Sequence, residues 1–161
     1  MHVASVFTLE QILKIDFSAV KPAYLSLDDH QRHLLKLALL NSNVIVENPQ
    51  EPVVQWRING RPLEVSLVRK AGELGVVLPE TREEFKIVSF LPFNSNDRFS
   101  VSLVEKQNKH FLNFFGAPEN LLDISEISKE EKQKLSDVVS RLAYNGERIL
   151  GLATKEIEHK D

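Results

Sequence analysis

Cysteine is absent from this sequence, which excludes disulfides and thiolate metal sites and leaves the redox compartment unread. Long apolar runs are absent as well. The longest, Leu34 to Leu40, is broken by Lys36 and falls far short of the ~20 residues a membrane-spanning helix requires. The N-terminus lacks the basic region, apolar core and small-residue cleavage site of a signal peptide. Neither charge sign dominates: 20 Lys and Arg stand interspersed with 23 Asp and Glu, for a net charge of −3. A nucleic-acid-binding chain would show a basic stripe or patch, so that class of partner is not expected. There is no internal repeat and no low-complexity tract. What is left is ordinary globular composition, 42% hydrophobic and 27% charged, in a chain long enough for one domain with its own core. The expectation is a soluble, cytosolic, monomeric unit.

Residue patterns divide the chain into helices and strands. His2 to Leu9 is rich in β-branched and aromatic residues and reads as a strand. Ser26 is expected to open a long helix through Ser-x-x-Asp, with Leu27, Leu34, Leu35 and Ala38 at helical spacing. Asn41 to Pro52 reads as a loop around Val44 to Val46. Val53 to Ile58 reads as a strand closed by Asn59-Gly60. A second helix is expected from Pro62 to about Leu74, its stripe made by Leu63, Leu67, Ala71 and Leu74.

Three strands then follow closely. Phe85 to Phe93 is apolar on both faces, as a central, covered strand would be. Arg98 to Val104 alternates, with Phe99, Val101 and Leu103 on one face and Arg98, Ser100 and Ser102 on the other. His110 to Phe115 is the third, and the short connections predict antiparallel hairpins. Pro118 to Ile124 is a short helix with proline in its first turn. Ser128-Lys-Glu-Glu131 is a capping box for a last helix striped by Leu135, Val138, Val139 and Leu142 and ended by Asn145-Gly146. Arg148 to Ala153 is the final strand. The fold class is therefore α+β, an antiparallel sheet of about six strands flanked by helices.

Four pieces of this sequence occur together in an informative order: Gly60 to Leu67 (GRPLEVSL), Leu91 to Leu103 (LPFNSNDRFSVSL), Phe114 to Leu122 (FFGAPENLL) and Asn145 to Ala153 (NGERILGLA). In this order and spacing they resemble the nucleotide-binding domain of P-type (E1-E2) cation-transporting ATPases. The family pattern is a glycine followed by a Glu that opens a helix, then Pro-Phe-(Asn/Ser)-Ser and a basic residue, then Lys-Gly-Ala-Pro-Glu, then Gly-x-Arg-(Val/Ile)-Leu. The resemblance covers Gly60 to the C-terminus well and the first half only in its layout.

Carried over position by position, the resemblance implies that Glu64 accepts a hydrogen bond from the adenine amino group and that Phe93 stacks on the ring. It implies that Arg98 and Arg148 reach the phosphate and ribose side, and that Gly116 and Ala117 wall the base. The family's lysine before Gly-Ala-Pro is Phe115 here, which is then expected to line the pocket in the lysine's stead. Adenine is flat and apolar with a polar edge, so an aromatic face, an acceptor and a bare backbone wall suit it. Each residue also has a plainer reading. Phe93 and Phe115 could be packing, Glu64 could favour its helix through the dipole, and Arg98 and Arg148 could be solvated or paired. His30 and His33 stand three apart on a helix without a third ligand, and Ser100 and Ser102 lack a base partner, so neither a metal site nor a nucleophile is expected.

The phosphorylated Asp-Lys-Thr-Gly-Thr of such pumps, their Thr-Gly-Asp or Thr-Gly-Glu loop, a Mg²⁺ site and membrane helices are missing from these residues. By the resemblance, residues 1–161 are one nucleotide-binding domain of a larger cytoplasm-facing membrane transporter. It would present ATP to a phosphorylation domain, with Mg²⁺ used by the parent and no catalytic residue in this chain. The motifs look more like calcium, sodium/potassium, proton or magnesium pumps than heavy-metal pumps. A degenerate domain kept as a structural or interaction module is the rival reading, and an unrelated α+β protein is the third.

Overall fold

A computed structural model of the chain describes residues 6–14 and 27–158. The elements are α1 (Leu9–Lys14), α2 (Asp29–Leu39), β1 (Ile45–Val46), a 3-10 turn (Val53–Gln55), β2 (Ile58–Asn59), α3 (Pro62–Glu73) and α4 (Leu78–Glu84). They continue with β3 (Lys86–Leu91), β4 (Phe99–Lys106), β5 (Lys109–Gly116), α5 (Pro118–Ile124), α6 (Lys129–Tyr144) and β6 (Gly151–Ile157). The α+β class holds. Among the described residues the strands form two antiparallel sheets: a small β1–β2 pair and a four-stranded sheet in the order β3-β4-β5-β6.

Helix boundaries follow local chemistry. Asp28, not Ser26, caps α2: its carboxylate accepts the Gln31 N–H at 2.7 Å while the Gln31 side chain accepts the Asp28 N–H at 3.0 Å. Ser26 itself lies outside the described residues. Ser128 and Glu131 close the same reciprocal box at the start of α6. Pro62 and Pro118 stand in first turns, where a missing N–H costs nothing. Gly146, at φ +81°, terminates α6.

Several sequence expectations are corrected. The strand expected at His2 to Leu9 falls partly on residues 1–5, outside the described part, and Leu9 begins α1. Val53 to Ile58 is not one strand: the 3-10 turn occupies its start, because Trp56 folds back to donate to the Glu51 carbonyl at 2.8 Å. Helix α4 was not foreseen at all. β3 is an edge strand rather than a central one, largely exposed and with an irregular register between Ile87 and Ser89. Phe85, 1% exposed, is the C-cap of α4 rather than part of β3, and packs with Leu37, Leu40 and Val104.

The core lies between the helical layer and one face of the sheet. Leu35, Ala38 and Leu39 of α2 pack with Leu67, Val68 and Ala71 of α3 and with Trp56, and Phe115 and Leu152 of the sheet rest against that cluster. A second cluster joins Leu37 and Leu40 to Phe85 and Val104. On β4 the serine face is the deeply buried one: Ser100 and Ser102 are covered, whereas Phe99, Val101 and Leu103 are half-buried. Opposite Ser102, Asn113 is fully buried; among the described residues neither its amide nor the Ser102 hydroxyl has a hydrogen-bond partner. Helix α5 packs against β5 and β6, and α6 packs against α5 and α1.

Candidate functional site

Register brings distant pieces of the chain to one end of the four-stranded sheet. Leu91 pairs with Val101, Phe99 with Gly116, and Gly116 with Gly151. The β3–β4 loop with Phe93 and Arg98, the β5–α5 turn with Phe115, Gly116 and Ala117, and the approach to β6 with Arg148 therefore share that end.

Asn94 shapes the β3–β4 loop. Its side-chain oxygen accepts the N–H groups of Asn96 at 2.9 Å and Asp97 at 2.8 Å, and its main-chain carbonyl accepts the Arg98 N–H at 2.9 Å. Its amide nitrogen donates to Asp97 Oδ2. An asparagine that stands in for turn backbone in this way favours a tight connection. The loop ends at Arg98 with φ +61°, the left-handed region that few side chains adopt. From there the Arg98 carbonyl accepts the Ala117 N–H at 2.9 Å.

This geometry accounts for Gly116. A Cβ at that position would stand 2.3 Å from the Arg98 carbonyl oxygen and 2.5 Å from Phe99 Cα. The sequence reading ascribed the bare glycine to an approaching base; its vacant side is taken by the neighbouring strand's own backbone. Phe114 and Phe115 point to opposite faces, as alternation requires. Phe114 meets Phe99 edge-on at 5.6 Å between centroids, and Phe115, half-buried, packs on the core.

Phe93 is 43% exposed. The guanidinium of Arg61 lies over its ring, 5.9 Å from the centroid. Arg61 is the N-cap of α3 and Glu64 sits half-buried in that helix's first turn, so the start of α3 meets the β3–β4 loop. Arg98 and Arg148 are exposed, and among the described residues neither has an ion-pair partner. Sequence reasoning missed Arg61. No local pattern marks it, because its contact is with a loop on a different element.

A second charged group lies at the opposite end of the sheet. Glu84 accepts from Lys36 at 2.5 Å and Lys106 at 2.6 Å, tying α4 to α2 and β4. The hydrogen bonds from Lys106 and then Lys36 hold the Glu84 carboxyl below the usual carboxylate range. His33 keeps an exposed edge but leans on Phe85 at 5.9 Å. That partial burial, followed by the nearby Lys106 charge, lowers its pKa from the ordinary 6.5.

A cavity of about 650 Å³ lies elsewhere and is mostly apolar, running between β6, α5 and α6 past Leu121, Leu135 and Val139. Phe115 lines it; Glu64, Phe93, Arg98 and Arg148 do not. The cavity's one lysine, Lys155, is paired with Glu126, whereas the open rim formed by those four residues carries the exposed Arg98 and Arg148 and is the candidate site.

A helix-covered antiparallel sheet with these four pieces gathered at one end is the arrangement of a known domain class. The family model described as P-type ATPase, cytoplasmic domain N, matches residues 29–161, and the chain belongs to that family. Among its relatives is the sodium/potassium-transporting ATPase subunit alpha-A of Artemia franciscana, 30% identical over 123 residues, which cover 69% of this chain and 12% of that protein. The potassium-transporting ATPase alpha chain 1 of Xenopus laevis is 29% identical over 150 residues, 83% of this chain and 14% of that protein. A putative cation-transporting ATPase of Methanocaldococcus jannaschii is 30% identical over 91 residues, 56% of this chain and 11% of that protein. The chain thus spans only 11% to 14% of the length of these relatives.

Proposed function

We propose that this chain is the nucleotide-binding domain of a P-type cation-transporting ATPase, a cytoplasmic domain of a membrane-embedded parent that binds ATP and presents it to a phosphorylation domain. The observation that carries this reading is the meeting of four sequence-distant pieces at one sheet end, with an aromatic face and two unpaired arginines left open to solvent. In this reading Phe93 stacks on adenine and Glu64 accepts from its amino group. Phe115 and Ala117 border the base from the β5–α5 side, and Gly116 lets the backbone of β4 come close enough to bring them there. Arg98 and Arg148 attract the phosphates. The chain binds nucleotide without hydrolysing it, since phosphoryl transfer needs the aspartate and Mg²⁺ site of the parent. Its contribution to the parent's chemistry is positioning, by bringing the γ-phosphate to the nucleophile.

The apolar Phe115 at the lysine position favours a second reading, a domain that has lost nucleotide affinity and serves as an interaction module. Titration of ATP followed by amide chemical shifts separates the two. Saturable shifts around Phe93 and Gly116 are expected, and Phe93→Ala should weaken binding roughly tenfold, since base stacking is worth ~1–3 kcal/mol. Absence of saturable shifts in the native chain would favour the interaction module.

A further inference from the structure

We propose that Arg61 is itself a nucleotide-binding residue, its guanidinium forming the second plane of an adenine clamp opposite Phe93. This rests on the reading of the rim as an adenine-nucleotide site. Arg61 is exposed, makes no capping hydrogen bond to α3, and has no ion pair among the described residues. Its side chain is placed over Phe93. The separation of 5.9 Å is wider than direct stacking, which brings carbon atoms to ~3.5–4.0 Å. A flat base between two planes needs two such layers, about 7–8 Å, so a side-chain shift of roughly 1–2 Å admits it. An exposed arginine makes that shift without disturbing the core.

The chemistry fits the occupant. A guanidinium is planar and delocalised and stacks on π faces in a way that an ammonium does not. With Phe115 apolar and packed on the core, the β5 side of the site offers no cation at that position, and Arg61 supplies one from α3. Glu64 lies in the first turn of the same helix, so the stacking plane and the acceptor for the adenine edge arise from a single helix end. Clamp and acceptor would then move as one unit.

The test is calorimetric titration of ATP and of adenosine into the native chain and into Arg61→Ala, Arg61→Lys and Phe93→Ala, with melting temperatures recorded. Arg61→Ala should weaken both ligands about tenfold with an unchanged melting temperature, because the lost plane faces the base that the two share. Arg61→Lys should recover affinity for ATP more than for adenosine, because the charge returns and the plane does not. If Phe93→Ala loses binding while Arg61→Ala binds as the native chain or more tightly, Arg61 is outside the clamp and only this proposal falls. If the native chain binds neither ligand, or Phe93→Ala matches it, the nucleotide reading falls and the clamp with it.

Discussion

The Arg98 carbonyl accepts the Ala117 N–H at 2.9 Å, joining the loop that carries Phe93 to the turn that ends β5. The join needs Gly116 without a side chain, since a Cβ would stand 2.3 Å from that same oxygen. The obstacle is backbone and cannot rotate away. Gly116→Ala should therefore cost about 1–3 kcal/mol of stability, in the range of overpacked sites, and should weaken nucleotide binding with it. Urea unfolding of the variant checks the first and ATP titration the second. An unchanged midpoint would mean that the strands separate more easily than the geometry implies.

Phe115→Lys restores a cation at the end of β5. ATP should tighten more than adenosine, by ~0.5–1.5 kcal/mol, because a partly solvated charge pair is modest in strength. The gain should shrink as salt rises, since screening acts on the charge and not on stacking. Phe115 also packs on the core cluster, so the same variant should melt lower, with the lysine stem keeping part of the contact. Equal tightening of the two ligands would place position 115 away from the phosphates.

Acid should destabilise the fold in two stages. The His33 pKa is lowered in the folded chain, so the unfolded chain takes up that proton first as pH falls through 6.5. Stability from this group is complete above 6.5 and declines below it. Glu84, also lowered, adds a second loss as pH falls below the ordinary carboxylate value of 4.5 and through its own depressed value. The charges around His33 are those of Lys106, Glu84, Lys36 and His30. His33→Gln should flatten the melting-temperature profile between pH ~7.5 and ~5.5 while leaving the lower-pH loss in place. A profile identical to the native chain would show that the imidazole does not report on folding.

Much of this architecture was legible because it is written locally. Ser128 with Glu131, Pro118 and Asn145-Gly146 mark helix ends through contacts within a few residues, and short connections fixed the antiparallel order of β3, β4 and β5. The motifs singled out Glu64, Phe93, Arg98, Phe115, Gly116, Ala117 and Arg148 as expected site residues, and they do not show the contact between Arg61 and Phe93. What escaped depends on the third dimension. Phe85 suggested a central strand because apolar residues flank it, yet it closes α4 and is covered by Leu37 and Leu40, by Val104 of β4 and by Lys106, whose ammonium lies 4.4 Å from its ring centroid. Helix α4 is short and begins at Leu78-Pro79, so its few buried positions, Leu78 and Thr81, gave too little periodicity to read. The buried serines of β4 invert the usual rule, because helix α2 packs on their face and brings Asn41, whose oxygen accepts from the Ser100 hydroxyl at 3.3 Å.

The bonds that Asn94 makes reach no farther than Arg98. Aromatic ring and basic residue are thus spaced by a module of six consecutive residues, Phe93 to Arg98, that draws its shape from within itself. The strands around it are free to diverge so long as they keep delivering its two ends side by side and keep a glycine opposite Phe99, where the Arg98 carbonyl meets β5.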